Sequence, residues 1–196
     1  MKKVFVLLAF SGLLFILKPS LMAQEQEISI PVASKVFYAE LGGPGVLMSM
    51  NWDARFKSNT HLGFGYRVGV GFSVGEFRDK EIVVGTYSDY EYTYYNYVTR
   101  AYYTIPVGIN YVFGKPNTAS SFEVGAGTTF LTRKKDLFTY DNYSEKKAGH
   151  FIGTLVFMYR LMPVNGGFSF RVGFTPMIGT AGDFFPMGAV SFGYAF

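Results

Sequence analysis

Three carboxylates and four guanidinium groups stand out in this chain by their positions: Glu40, Asp53 and Glu123, with Arg55, Arg67, Arg160 and Arg171. Each falls in a segment whose alternate residues are apolar, on the small or polar side of that alternation, together with Asn51 and Asn110. Residues two apart on a strand share a face, so all seven charges are expected to point inward together. Charges held away from water must pair, and the arginine fork matches a carboxylate with two parallel hydrogen bonds. The set predicts a structural salt-bridge and hydrogen-bond network filling an interior. A gated ion path is the alternative use of the same residues.

Other chemistry is sparse. The chain has two histidines and no cysteine, which removes disulfides, thiolate metal sites and thiol nucleophiles. His61 is expected to begin a third strand and His150 a sixth. His150 lies near Ser144 and Glu145, but that spacing fixes no triad geometry, and a lone surface histidine is the plainer reading. No catalytic residue, metal ligand set or cofactor is assigned. The chain has no phosphate loop, dinucleotide fingerprint or metal-spaced histidine pair.

Two polar stretches could bind partners. Gly75–Val98 reads as a long connection rich in tyrosine, with Tyr90, Tyr92, Tyr94 and Tyr95 at its centre. Tyrosine suits both a membrane interface and a binding surface, so the stretch is either an exposed strand ribbon or an adhesive surface for protein or glycan. Thr132–Ala148 carries Arg133, Lys134 and Lys135 at one end and Lys146 and Lys147 at the other. It reads as a solvated charge run or as a dock for lipopolysaccharide phosphates.

These residues are positioned by segments of about ten residues with period-two alternation, the pattern of membrane-spanning strands. We expect strands at Lys35–Gly42, Val46–Phe56, His61–Val74, Thr99–Phe113, Ser121–Leu131, Gly149–Leu161, Gly167–Pro176 and Met187–Phe196. The third is the clearest: Leu62, Phe64, Tyr66, Val68, Val70 and Phe72 alternate with Gly63, Gly65, Arg67, Gly69 and Gly71. Ala54 is expected outward with Met48, Met50, Trp52 and Phe56. Pro106, inside the fourth strand, predicts a bulge. Ile178–Pro186 reads as a loop. The fold class is therefore an all-β, antiparallel, up-and-down transmembrane barrel of eight strands. Ten strands result if the tyrosine-rich stretch folds back into the membrane. Short turns alternate with longer connections, which places both termini in the periplasm and the long loops outside.

Both ends of the sequence suit that location. Lys2 and Lys3, the apolar run Val4–Leu17 and the small Ala23 make residues 1–23 an expected signal peptide, followed by a short periplasmic segment, 24–34, and the barrel, 35–196. Phe192, Tyr194 and Phe196 lie on one face of the last strand, like the terminal signal read by the barrel-assembly machinery. Aromatics at 19%, 23 glycines and only 16% charged residues are unusual for a soluble domain. The formal charge of +4 falls to +1 without Lys2, Lys3 and Lys18, so a nucleic-acid partner is not expected.

The segments Phe37-Tyr38-Ala39-Glu40-Leu41-Gly42-Gly43, Thr104-Ile105-Pro106-Val107-Gly108-Ile109-Asn110-Tyr111 and Phe170-Arg171-Val172-Gly173-Phe174-Thr175-Pro176 resemble a Bacteroidota-type family of small outer-membrane barrels. The architecture is similar to the OmpA and OmpX barrels, and the resemblance runs from about Lys35 to Phe196. It implies fold and a Gram-negative outer-membrane location, and carries no assigned activity. The expected role is structural or surface-binding, as a monomer whose extracellular loops meet lipopolysaccharide, outer-membrane lipid, protein or glycan. A small pore or apolar-ligand conduit, and a lipid-A-modifying enzyme using His150, are the alternatives.

Overall fold

A computed structural model of the chain describes residues 31–87, 90–135, 149–180 and 182–196, and gives only the backbone for 78–87 and 90–96. The strands are β1 (Lys35–Gly42), β2 (Met48–Arg55), β3 (Gly63–Tyr87), β4 (Tyr90–Gly114), β5 (Ser120–Lys135), β6 (Gly149–Leu161), β7 (Gly167–Phe174), β8 (Met177–Ile178), β9 (Phe184–Phe185) and β10 (Gly188–Ala195). Every pairing is antiparallel, and β5 pairs with β6 to close the sheet on itself. No helix among the described residues is long and apolar enough to cross a membrane.

Ten segments make eight barrel strands. β6 pairs with β7 and then with β8 in one unbroken register, from Leu161↔Phe170 to Gly153↔Ile178. β10 on β7 and β9 on β8 likewise share one register. So β7 with β8 is a single strand interrupted at Thr175-Pro176, and β9 with β10 is another, interrupted at Pro186-Met187. The expected loop at Ile178–Pro186 is thus partly ladder: proline breaks the hydrogen-bonding pattern without breaking the course of the chain.

Two other expectations are corrected. The strand ends at Val74 and Thr99 fall short, and the ribbon reading of Gly75–Val98 holds: β3 and β4 run on, paired through Phe77↔Val98 and Ile82↔Tyr94 to Tyr87↔Tyr90, with register shifts at Arg78/Glu81 and Val83/Thr86. Tyrosine, threonine and valine favour strands, and two polar faces do not stop a ladder from propagating. Pro106 makes no bulge. Val68↔Val107 and Gly71↔Thr104 keep the same register on either side of it, and Pro106↔Thr129 is an ordinary pair with β5. The ring interrupts recorded pairing with β3 locally and the register carries through.

The exterior is that of a membrane barrel. Phe37, Leu41, Met50, Phe64, Val70, Ile109, Phe122, Phe157 and Phe192 all stand exposed. In water this area would be a severe liability; against lipid it is the stabilising face. Around the end where both β1 begins and β10 finishes, hereafter the near end, aromatic rings pair across strands: Phe64 with Tyr111 at 4.8 Å, Trp52 with Phe196 at 5.5 Å and Phe122 with Tyr159 at 5.6 Å. This is the girdle expected at a lipid–water interface. Ala54 departs from its outward expectation only in exposure, at 5%.

The interior is layered. At the near end Ala33, Val36, Tyr38, Met162 and Ala195 pack into an apolar plug. At the far end Tyr102, Leu131, Ile152 and Met177 form a second, with Val46, Phe77, Phe185 and Met187 against it. The charged residues start level with the near-end plug, where Asp53 is paired with Val36 and the Arg55 backbone N–H donates to the Ser34 carbonyl, and extend inward from there.

Candidate functional site: the charged lumen and the far rim

The seven predicted charged side chains all sit on inward positions and all are buried. Asp53 and Glu123 are the hubs. Arg55 donates to Asp53 Oδ1 at 2.6 Å, and Arg160 reaches the same oxygen at 3.3 Å. Glu123 Oε2 accepts from Arg160 at 3.2 Å and from Arg171 at 2.6 Å. Asn110, on β4, ties the hubs together: its amide donates to Asp53 Oδ2 at 2.5 Å and Glu123 Oε1 at 2.8 Å, while its carbonyl accepts from Arg55 at 2.8 Å. Residues from β2, β4, β5, β6 and β7 thus meet in one network across the barrel axis.

Glu40 and Arg67 are held more loosely. Their closest approach is 3.9 Å. Glu40 accepts a 3.4 Å bond from Ser191, and Arg67 donates to the Tyr38 hydroxyl at 3.5 Å. Tyr38 also lies under Arg171, whose guanidinium carbon is 4.2 Å from the ring centroid. Tyr38 is the member of this site that sequence reasoning did not weigh. Its place on the inward face beside Glu40 was readable, but a cation–π contact depends on which strand lies opposite.

The Gly43-Pro44-Gly45 connection is more than a turn. It forms a short 3-10 segment and is buried, folded into the lumen from the far end. Thr129 donates to the Pro44 carbonyl at 2.7 Å and Thr104 to the Gly45 carbonyl at 3.0 Å. Val46 follows with φ 76° and ψ −80°, a strained γ-turn geometry for a β-branched residue. The Gly42 N–H closes the hairpin on the Leu47 carbonyl at 2.8 Å. Two apolar plugs, the inserted turn and the ion-pair network share the interior of an eight-stranded barrel, which is only just wide enough for side chains.

The two histidines stand in different surroundings. His61 lies in the connection before β3, not in the strand, and is 4% exposed. Burial, and then the Arg160 guanidinium, hold its pKa below the ordinary imidazole range, so the ring is neutral at pH 7. His150 sits where the β5–β6 register shifts between Phe130 and Lys135. Its Nδ1 donates to the Leu131 carbonyl at 2.8 Å, and the ring stacks on Phe130 at 5.7 Å. The imidazole supplies a hydrogen bond at the irregularity in the ladder.

At the far rim Arg133 and Lys135 both approach the Phe77 ring, at 5.8 and 5.6 Å from its centroid. Phe77 in turn meets Tyr102 edge-on at 5.8 Å. Lys134 is exposed. Partial burial holds the Lys135 ammonium pKa below its ordinary value, against the opposing pull of Glu76. The side chains of Tyr90, Tyr92, Tyr94 and Tyr95 lie outside the described residues, as do Ser144, Glu145, Lys146 and Lys147. So do residues 1–30, which include the expected signal peptide. At the near end Phe192 contacts Phe170 at 5.3 Å, and Phe196 bonds through its backbone to Lys35 in both directions, at 2.9 and 3.0 Å. Tyr194 stands exposed.

No protein-family model matches the chain, and no curated protein sequence matches it. The Bacteroidota-type resemblance therefore rests on the three sequence segments alone. Among solved structures, the chain is similar to Ail, the attachment invasion locus protein of Yersinia pestis, in a crystal structure with the heparin analogue sucrose octasulfate. The similarity covers 83% of this chain and 95% of that one, at 10% sequence identity and a TM-score of 0.38. By its own strand pairing and its own surface, the chain is a small, closed, transmembrane antiparallel β-barrel.

Proposed function

We propose that this protein is a monomeric outer-membrane barrel of a Gram-negative envelope, with a structural lumen and a working surface at its far end, facing outside the cell. The observation that carries the reading is the ribbon. β2 stops at its Met48↔Phe72 pair, yet β3 and β4 continue as partners to Tyr87↔Tyr90. Closing a barrel does not require this extension. Long connections in such barrels stand outside, so the ribbon is assigned to the cell exterior and both termini to the periplasm.

The chemistry of the rim suits an anionic surface component, lipopolysaccharide phosphate first and acidic glycan second. Arg133, Lys134 and Lys135 crowd the ribbon base, with aromatic Phe77 among them. Cations fixed on an aromatic ring lose less freedom on binding than cations on free stems. Tyr90, Tyr92, Tyr94 and Tyr95 follow further along the ribbon's backbone. The reading includes no catalytic step, and the barrel-assembly machinery is its expected partner during insertion.

The test compares the full chain with a variant in which the ribbon beyond Phe77 and Val98 is replaced by a two-residue turn. Both are reconstituted, and capture of lipopolysaccharide micelles is measured with and without removal of the lipid A phosphates. Phosphate-dependent capture by the full chain, weakened in the trimmed barrel and lost when Arg133, Lys134 and Lys135 are also replaced by glutamine, is expected. Equal capture by both, with both migrating as folded barrels on unheated gels, refutes the reading.

A further inference from the structure

We propose that the lumen holds a single bound monovalent anion, of the chloride class, beside Arg160, Arg171 and Ser169. The first observation is a charge count. Among the described residues the buried lumen carries four guanidinium groups, Arg55, Arg67, Arg160 and Arg171, against three carboxylates, Glu40, Asp53 and Glu123. A buried charge is strongly disfavoured unless it is compensated, so a closed interior with one surplus cation calls for a counter-ion.

The second observation locates it. Arg160 and Arg171 are directly paired across β6 and β7. Both bond to the same oxygen, Glu123 Oε2. Two arginines rising from opposed positions to one acceptor must run side by side, as cross-strand neighbours stand about 5 Å apart. That contact uses their terminal nitrogens. Arg160 Nε, Arg171 Nε and Arg171 Nη1 are buried without any protein acceptor. Ser169 lies two residues before Arg171 on the same face of β7, and its hydroxyl is also buried without a partner. Both arginines and Ser169 are no more than 1% exposed.

Four buried donors without a partner therefore belong to three inward residues of two neighbouring strands. The carboxylate without full pairing, Glu40, is held across the sheet by Ser191 and faces Arg67. The donors suit a small spherical anion: N–H and O–H groups only, with the near-end plug of Tyr38 and Met162 beyond them. Bound there, the ion neutralises the lumen and satisfies donors that packing alone leaves bare.

The experiment uses the full chain, refolded in detergent and dialysed into sodium gluconate. Chloride or bromide is then titrated in at constant ionic strength while the thermal midpoint is followed. A saturable rise is expected, without a matching rise in sulfate. Crystals grown in bromide should show one anomalous peak within reach of Arg160 and Arg171. Ser169→Ala keeps every charge and should weaken halide affinity about tenfold, the worth of roughly one charge-assisted hydrogen bond. Arg171→Gln, if it folds, should abolish the titration. A midpoint identical in gluconate and chloride overturns the proposal. So does bromide found only at surface lysines, because the native chain then carries its surplus charge with water or a deprotonated group instead.

Discussion

Pro176 and Pro186 stand opposite each other across the wall of the barrel. The pairs Phe174↔Gly188 and Met177↔Phe185 belong to one register, which brings the two prolines level. Thr175 N–H donates to the Met187 carbonyl at 2.7 Å, so the neighbouring 175/187 position is a bonded pair and the proline position is not. Each ring therefore turns its missing N–H away from the other. Pro176 is aimed at β6, where Leu155 N–H still donates to its carbonyl at 3.0 Å. Pro186 is aimed at an edge that has no paired strand among the described residues, because β1 ends at its Gly42↔Ala189 pair. A proline on a bare edge denies a donor to any foreign strand.

Replacing Pro186 by threonine should accordingly leave stability within about 0.5 kcal/mol, as for most surface changes. It should raise self-association by restoring an edge donor. Chemical cross-linking in detergent at rising protein concentration checks this. A variant that stays monomeric while wild-type behaviour is unchanged would count against an edge-protecting role.

The two tiers of the lumen network should respond differently to loss of a carboxylate. Glu123→Gln removes the negative charge that Arg160 and Arg171 share and puts an amide in its place, and breaking such a buried pair costs about 3–5 kcal/mol. Glu40→Gln removes contacts of 3.4 and 3.9 Å and should cost roughly 1–2 kcal/mol. Urea midpoints of the two reconstituted variants decide the order. Equal midpoints would mean that Glu40 contributes as much as the hub.

The inserted turn depends on two hydroxyls from distant strands. Thr129→Val strands the buried Pro44 carbonyl and should destabilise the barrel by about 1–3 kcal/mol, with Thr104→Val acting similarly through Gly45. Because Val46 is held at a strained φ, the weakened turn should release first. Hydrogen exchange confined to Gly42–Leu47 in the variants is the expected signature, measured by mass spectrometry.

Orientation is open to a direct test. Protease added to intact cells should cut at the exposed Lys134 on the far rim and spare Lys57 and Lys115, which lie in near-end connections. Cleavage at Lys57 with Lys134 protected would invert the topology and remove the surface-binding reading with it.

Alternation along each segment was legible in the sequence because a strand's facing is a local property of the backbone, with period two. That is why Phe64 to Phe72 were assignable to lipid, and Arg67 and Asp53 to the interior, from single segments. Strand ends were less legible. Whether Gly75–Val98 stays laddered depends on a partner strand rather than on its own polarity. Pro106 shows the same: the register across it is held by Val68 and Gly71 on β3 and by Thr129 on β5. What the tertiary structure alone decided was which inward groups meet. Closure of β5 on β6 brings Asp53 to Arg160, 107 residues away, and Glu123 to Arg171, 48 away. It also sets Thr129 under Pro44, 85 residues apart, turning a short hairpin connection into part of the interior. The physical reason is that stagger and closure are properties of the whole sheet: no single strand encodes the row on which its charge will stand.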